Sequence, residues 1–193
     1  MNFTFDRKII CPQDHTATSK RLVQYDSYYS VKNAICYLCA PKVIVEIGVR
    51  AGYSMWSFLQ AVPTAVAYGF DIGGEKVGYG DGVSFSNWAK ELLKEYDFHY
   101  TEVDTQSVDT LALETLAEFI HIDGDHSAAE VKHDMTLAFK ALCVKGYMLL
   151  DDYYYVKSVR QGYLEFSEEY GSKCEAVSFD SFRGELLLRK LVK

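Results

Sequence analysis

Apolar runs alternate with stretches of helical spacing along most of the chain. The clearest run, "KVIVEIG" at 42–48, is continuous and β-branched, as a strand buried on both faces of a sheet should be. Four later runs resemble it in length and apolar character. The predicted strands cover residues 42–48, 65–71, 98–103, 118–123 and 147–151.

Apolar residues recur at helical spacing between and around these runs. The first predicted helix occupies 17–39, opens at Thr18 or Ser19 and stops before Pro41. Ser127 with Glu130 three residues later forms a capping box that starts another helix. Further helices are predicted over about 55–62, near 85–95, near 107–116 and along 156–170.

The order of these elements predicts the fold class. Five alternations of strand and helix predict a parallel sheet with helices on both faces. The last two apolar runs, "CEAVSF" and "ELLLRKL", are separated by a few residues including Gly184, which favours an antiparallel pair. We therefore expect an α/β fold with a doubly wound, mostly parallel sheet of about seven strands and an antiparallel C-terminal edge pair. Residues 1–193 are expected to form a single domain, with 1–40 as an N-terminal helical cap segment.

Composition narrows the classes of function. The 49% hydrophobic and 24% charged content is typical of a globular protein, and no run approaches the ~18 apolar residues that span a membrane. A net charge of −7 without any Lys/Arg cluster argues against nucleic-acid binding. The N-terminus "MNFTFDRKII" lacks the features of a signal peptide. We therefore expect a cytoplasmic protein that binds neither nucleic acid nor a membrane.

The five cysteines are odd in number and scattered, which argues against a disulfide framework. Cys36 and Cys39 form a CxxC inside the first predicted helix. Two interpretations stay open for this pair: small residues buried in a helix, or a metal or redox site.

Acidic residues stand where several predicted strands end. They are Glu46 in the first strand, Asp71 in the second, Asp123 in the fourth, and Asp151 and Asp152 at the end of the fifth. Open parallel sheets bind ligands outside the carboxyl ends of their strands, so these acids should converge on one edge. Carboxylates that meet there repel one another unless they are protonated or neutralised by a cation. Hard oxygen ligands of this kind suit Mg²⁺, Ca²⁺ or Mn²⁺.

A glycine-containing turn follows the first strand in "VEIGVRAGYS". Gly48 and Gly52 permit positive φ and close approach of a ligand to the backbone, and Ser54 can cap the following helix. The turn is neither GxGxxG nor a P-loop, and Glu46 would repel a pyrophosphate but suit an ammonium or sulfonium group. A tight strand-to-helix turn without any ligand remains the alternative.

"VEIGVRAGYS" resembles the first motif of class I S-adenosylmethionine-dependent methyltransferases. "FIHIDGDHSAAEVKHDM" and "GYMLLDDY" resemble the branch of small-molecule O-methyltransferases, including catechol-type and antibiotic-tailoring enzymes. The resemblance covers roughly residues 40–155. It implies a Rossmann-like sheet, S-adenosyl-L-methionine as cofactor, and transfer of a methyl group to a hydroxyl of a small-molecule acceptor. Because such enzymes are often dimers, it also raises a homodimer as an expectation.

The resemblance also assigns cofactor-binding positions. Glu46, Gly48 and Gly52, with Tyr53 and Ser54 at the start of the helix, would line the methionine part of the cofactor. The carboxylate of Asp71 would accept hydrogen bonds from both ribose hydroxyls. The adenine would lie beside Ile72, with Asp104 and Thr105 at its edge, although these last two match the family pattern less clearly.

Metal-dependent members use an acid after the fourth strand and an acidic pair, or Asp-Asn, after the fifth. The resemblance thus implies Mg²⁺ held by Asp123, Asp151 and Asp152. The catechol-type pattern would end in Asn where this chain has Asp152, so the antibiotic-tailoring branch is the nearer match. His126, with an ordinary pKa near ~6.5, or a ligand carboxylate such as Asp123 is expected to accept the proton of the acceptor hydroxyl.

Several neighbouring residues are open to two interpretations. Asp125 could support the site or face solvent, and His133 and Asp134 are expected on the surface of their helix. The loop 73–82 and the run Tyr153–Tyr155 could form the acceptor pocket, or they could be a mobile loop and packing residues.

Other classes of protein remain as alternatives. A haloacid-dehalogenase-like, Mg-dependent phosphohydrolase would place its nucleophilic aspartate on the first core strand, whereas "HIDGDH" follows the fourth. A dinucleotide-dependent oxidoreductase would need a third glycine in the turn. A non-catalytic or metal-independent S-adenosylmethionine-binding protein would keep the glycine turn without the chemistry.

Overall fold

The computed structural model describes residues 3–73 and 85–192. Its sheet has seven strands in the order β3-β2-β1-β4-β5-β7-β6, with β7 and β6 antiparallel to their neighbours and the rest parallel. The predicted fold class is confirmed. The strands are β1 Val43–Ile47, β2 Val66–Asp71, β3 Phe98–Glu102, β4 Ala117–Ile122, β5 Leu142–Leu150, β6 Cys174–Phe179 and β7 Glu185–Lys190.

Five α-helices cover the sheet in the described part of the chain. They are α1 Ser19–Cys39, α2 Tyr53–Ala61, α3 Phe85–Leu92, α4 Ala128–Ala141 and α5 Lys157–Tyr170. Ser127 caps α4 as predicted, because its hydroxyl accepts from the Glu130 amide at 3.3 Å, but the Ser127 amide donates to Asp125 and not to Glu130, so the capping box is only half formed. Apart from Gly73, the predicted loop 73–82 lies outside the described residues. No helix within 3–73 or 85–192 is both long enough and apolar enough to cross a bilayer.

The helix predicted near 107–116 is wrong. A short 3-10 turn at Thr105–Ser107 stands there instead, followed by irregular chain. Asp104 accepts from the amide of Gln106 and so caps this turn, a local bond that competes with helix formation. The following chain extends at Val108 and buries Leu111 against the core. Burial of these side chains overrides the helical spacing of the segment.

The alternation of side chains along each strand separates two apolar layers. Ile44, Phe119 and Leu149 face α1 and α2, where they pack with Phe58 and Met55. Their neighbours along the same strands pack on the opposite face, against α4 and α5. Because β1 is buried along its whole length, both layers pass through the centre of the sheet.

The segment before α1 packs over the start of α2. The ring of Phe5 stacks on Tyr29 with a centroid distance of 4.5 Å and contacts Tyr25 and Tyr53 edge-on. These contacts place the tyrosines of α1 above the carboxyl edge of the sheet. The first helix therefore forms one wall of whatever binds at that edge.

All five cysteines are free, as the sequence predicts. Cys36 is fully buried in α1, and burial raises the pKa of the Cys39 thiol to about 11. Neither cysteine belongs to a cluster of metal-ligating side chains among the described residues. The CxxC pair therefore packs in a helix and does not have the depressed thiol pKa of a reactive cysteine.

Candidate active site

A cavity of about 710 Å³ opens at the carboxyl edge of the sheet. It lies where β1 and β4 are neighbours and their following segments diverge, the position at which open parallel sheets bind ligands. Its walls come from the ends of β1, β2, β3 and β4, from α1, and from the segment before β7. The cavity is large enough for a nucleoside cofactor together with part of a second molecule.

The glycine turn, residues 48–52, forms the floor of this cavity. Gly48 has φ +87°, and a Cβ placed on it would lie 2.0 Å from the carbonyl oxygen of Asp123. Only glycine lets the turns after β1 and β4 approach so closely. Gly52 also has a positive φ, +79°, and begins α2.

Tyr53 and Ser54 follow the glycine turn, and both line the cavity. The Tyr53 hydroxyl, however, accepts from the Cys11 amide at 2.7 Å and donates to Asp14 at 3.2 Å. It therefore ties the N-terminal segment to α2. The wall that Tyr53 contributes to the cavity is its ring.

Asp71 is held rigidly at the end of β2. Its Oδ2 accepts from the Arg50 amide at 2.7 Å, and its Oδ1 accepts from the Gly73 amide at 2.8 Å. Asp71 lines the cavity together with Ile72, and a carboxylate oxygen can accept a second hydrogen bond. A carboxylate fixed in this way is a preformed acceptor for two neighbouring hydroxyl groups.

Arg50 has φ +47° and forms a double ion pair with Asp14, at 2.7 and 3.0 Å. Its guanidinium also lies 4.4 Å from the ring centroid of Phe85. These contacts fasten the N-terminal segment to the glycine turn. They also fix the backbone amide that Arg50 donates to Asp71.

Asp104 and Thr105 line the far end of the cavity. The Thr105 hydroxyl donates to Asp134 at 2.7 Å. Asp134, expected on the surface of its helix, is instead 1% exposed and also lines the cavity, so this expectation is wrong. Burial raises the pKa of Asp134 to about 6. His133 is half-buried and donates from Nε2 to the carbonyl oxygens of Thr105 and Val108.

Glu46 lies below the cavity and does not line it. Its Oε1 is 2.8 Å from Nδ1 of His121, the residue paired with it across β1 and β4. Nε2 of the same ring lies 2.7 Å from Nζ of Lys32. An ammonium only donates, so Nε2 accepts from Lys32 and Nδ1 donates to Glu46. Burial and the charge of Lys32 lower the pKa of His121 well below its ordinary value, which keeps the ring neutral.

Lys32 is the centre of a buried polar network beneath the cavity. Its Nζ lies 3.2 Å from Asp151 and 3.1 Å from Glu185, and all three side chains are at most 1% exposed. Tyr28 donates its hydroxyl to Asp151 as well. Although burial acts to raise the pKa of Asp151, the Lys32 ammonium outweighs it and holds that pKa well below the ordinary value. Burial raises the pKa of Glu185 well above its ordinary value.

Asp152 turns away from this network with φ +59° and pairs with Arg183. The Nη2 of Arg183 donates to Oδ2 of Asp152 at 2.6 Å, and its Nε contacts Oδ1. Nε2 of His126 lies 3.3 Å from Oδ2 of Asp152 and 3.6 Å from Oδ1 of Asp123. Burial and the charges of Asp151 and Asp123 raise the pKa of Asp152 to about 7. The neighbouring Asp123 carboxylate raises the pKa of His126.

The three predicted metal ligands, Asp123, Asp151 and Asp152, do lie close together; we call them the carboxylate cluster. Two sets of ligand atoms fall within 4.8 Å of one another: one of His121, Asp123 and Asp151, the other of Asp123, His126 and Asp152. In the first set, His121 already accepts a hydrogen bond from Lys32, and Asp151 forms an ion pair with it. In the second, both oxygens of Asp152 contact Arg183. The residues as arranged do not fit a divalent cation, so Mg²⁺ stays a prediction that these contacts argue against.

The sequence reasoning missed Lys32, Arg183 and the tyrosines of α1. Tyr28, Lys32 and Cys36 are spaced by four, so a lysine on the apolar face of the first helix was a usable signal. Arg183 stands in a short segment without any pattern, and no local signal identifies it. Of the run Tyr153–Tyr155, only Tyr155 lines the cavity.

Comparison with known proteins is consistent with this geometry. Residues 45–153, more than half of the chain, match the model of a family described as a methyltransferase domain. No curated protein matches the chain in sequence.

Several solved structures share the fold. The O-methyltransferase TomG from Streptomyces achromogenes, in complex with SAM, is 15% identical with a TM-score of 0.63, over 90% of this chain and 86% of that one. The Bacillus cereus O-methyltransferase in complex with SAH is 12% identical with a TM-score of 0.64, over 92% and 83%. The SAH-bound Podospora anserina methyltransferase PaMTH1 is 15% identical with a TM-score of 0.67, over 96% and 84%. At these identities the likeness shows a shared fold.

Proposed function

Because the chain belongs to the methyltransferase-domain family, we propose that it transfers a methyl group from S-adenosylmethionine to a hydroxyl group of a small molecule. The single observation that carries the cofactor assignment is the carboxylate of Asp71. It stands at the end of β2, is fixed by two backbone amides and lines the cavity. A ribose diol is the chemical group that such an acceptor recognises.

The positions of the other parts of the cofactor follow from the residues that line the same wall of the cavity. The methionine part would lie over the glycine turn, near Gly48, Tyr53 and Ser54, while the adenine would lie beside Ile72 and reach towards Thr105. Structures with this fold hold SAM or SAH, as in the Streptomyces and Bacillus enzymes. Glu46 would act indirectly, because its side chain holds His121 beneath the turn.

The methyl transfer itself needs mainly alignment. The acceptor oxygen attacks the methyl carbon in line with the breaking bond to sulfur, and the sulfonium leaves as a neutral thioether. The proton of the acceptor hydroxyl then passes to the imidazole of His126, which is 41% exposed and contacts Asp123 and Asp152. Asp123 orients the ring and favours its protonated form.

A small acceptor would lie against the aromatic side chains that line the cavity. Tyr25, Tyr28 and Tyr29 of α1 and Phe182 line this part, with Tyr28 and Phe182 in edge-on contact at 6.2 Å. Such a wall suits a compact, largely apolar molecule with one reactive hydroxyl. The cytoplasmic location, the homodimer and the absence of nucleic-acid or membrane binding stay predictions of the sequence.

Calorimetric titration with S-adenosylhomocysteine tests the cofactor assignment. We expect one molecule to bind per chain, and Asp71→Ala to weaken binding at least about 100-fold, because two hydroxyl groups lose a charged acceptor. Asp97→Ala is the matched control. Asp97 pairs with the exposed His99 just before β3, at the opposite edge of the sheet, and its loss should leave binding unchanged. Failure of the unmodified chain to bind would overturn the proposal.

A further inference from the structure

We propose that the guanidinium of Arg183 takes the place of a divalent cation at the carboxylate cluster, so that this chain carries out its reaction without a metal ion. The inference rests on the proposed methyl transfer and concerns which positive group neutralises the carboxylates of the same site. It reverses the expectation of Mg²⁺ that the sequence resemblance raised.

The first support is that Arg183 already engages both oxygens of Asp152. Nη2 donates to Oδ2 at 2.6 Å, and Nε makes an ion-pair contact with Oδ1 without forming a hydrogen bond to it. The Asp152 side chain is 0% exposed. A cation that bound this carboxylate would have to displace the Arg183 guanidinium or share the carboxylate with it.

The second support is that Arg183 is anchored to the segment that carries its partner. The carbonyl oxygen of Arg183 accepts from the Tyr155 amide at 3.0 Å, and that of Gly184 accepts from the Tyr153 amide at 3.1 Å. Gly184 has φ +86°, and a Cβ there would lie 2.5 Å from the ring of Tyr154. These contacts lock the segment before β7 against the residues that follow Asp152. The guanidinium is therefore presented from a fixed backbone.

The third support is the balance of charge in the carboxylate cluster. Lys32 neutralises Asp151 from below at 3.2 Å, and Arg183 neutralises Asp152 from the side. Asp123 has His126 beside it. Two fixed positive charges thus already neutralise two of the three acids. A divalent cation would have to compete with Lys32 for Asp151 and with Arg183 for Asp152.

Arg183 can also act on the acceptor. It lines the cavity, and Nη1 is not used in the contacts to Asp152. A positive charge at this point would lie beside the oxygen from which His126 removes the proton, a role that a metal ion would otherwise fill. We assign Arg183 as a positioning residue for both Asp152 and the acceptor.

Titration with Mn²⁺ tests the inference, with free Mn²⁺ followed by electron paramagnetic resonance and S-adenosylhomocysteine present at saturation. The unmodified chain should show no site with a Kd below about 1 mM. Arg183→Ala should gain one Mn²⁺ site with a Kd at least about tenfold below that 1 mM limit, because the substitution frees the Asp152 oxygens. Adding Asp152→Asn should remove this site again. Arg160→Ala is the control for loss of a positive charge, since Arg160 is exposed on α5 and contacts the ring of Tyr153.

Two results would overturn the inference. One is a stoichiometric Mn²⁺ site below about 1 mM in the unmodified chain that Asp152→Asn abolishes. The other is an Arg183→Ala chain that folds, by circular dichroism, yet gains no site. If Arg183→Ala does not fold, Arg183→Gln makes the same test with a neutral side chain that still donates hydrogen bonds. Failure to bind S-adenosylhomocysteine would instead count against the proposed function. The Mn²⁺ titration would still show whether Arg183 prevents a cation from binding to Asp152.

Discussion

Replacing Lys32 by methionine removes the positive charge at the centre of the buried network. The Lys32 ammonium lies 2.7 Å from His121, 3.2 Å from Asp151 and 3.1 Å from Glu185, and its side chain is 0% exposed. Methionine fills similar space but leaves the Asp151 carboxylate buried without an opposite charge. Breaking a buried ion pair in this way costs about 3–5 kcal/mol.

Urea unfolding followed by circular dichroism measures this cost. With a slope of about 2 kcal/mol per molar urea, a loss of about 4 kcal/mol lowers the midpoint by about 2 M. Lys94→Met is the matched control, because its pair with Glu91 is exposed, and the urea midpoint should not change. Adding Asp151→Asn to Lys32→Met should recover part of the loss, because the unpaired charge disappears.

A Lys32→Met chain that loses less than about 1 kcal/mol would refute this reasoning. The stability of the network would then not depend on the Lys32 ammonium, and the claim that Lys32 neutralises Asp151 would be wrong.

Two further predictions concern the glycine turn and Asp134. Gly48→Ala should lower the free energy of unfolding by several kcal/mol and abolish S-adenosylhomocysteine binding, because its Cβ meets a carbonyl oxygen at 2.0 Å. Gly171→Ala, at φ −58° with no contact to the cavity, should change neither quantity in urea unfolding or calorimetry. Asp134→Asn should leave stability unchanged near pH 3 and raise it by at most about 3 kcal/mol at pH 8.

The sign of the last prediction follows from the raised pKa of Asp134. Its folded value of about 6 exceeds the ordinary 3.8, so ionisation in the folded state costs stability. Near pH 3 and below, the carboxyl is mostly protonated in both states and almost no cost arises. The loss of stability develops as the pH rises from the unfolded pKa to the folded pKa of Asp134, and it is complete above the folded pKa. Asparagine does not ionise, so the Asp134→Asn chain does not lose this stability. Equal pH profiles for the two chains in urea unfolding would contradict the assignment, as would a Gly48→Ala chain that unfolds like the unmodified one.

The strands and the sheet edge could be predicted because they rest on local patterns. The run at 42–48 is apolar and β-branched, and the carboxyl ends of parallel strands meet at one edge whatever else the chain does. The helix near 107–116 could not be excluded in the same way. Its spacing is helical, but Leu111 is drawn into a core that only the folded chain defines.

The direction of the acidic side chains was the part that the sequence left undetermined. Glu46 was placed at the cavity from its position in the glycine motif, yet it shares a face of β1 with Ile44, and that face is covered by α1 and α2. The partners of Asp152 are set by Arg183, which is 31 residues away along the chain. Position in a strand predicted which edge the acids reach, while their partners depend on tertiary contacts.

A crystal structure of the chain with S-adenosylhomocysteine would show where the cofactor binds. We expect the homocysteine part over the glycine turn, both ribose hydroxyls within hydrogen-bond distance of the Asp71 carboxylate, and the sulfur facing Asp123 and His126. A ligand bound elsewhere, or a ribose turned away from Asp71, would contradict this expectation.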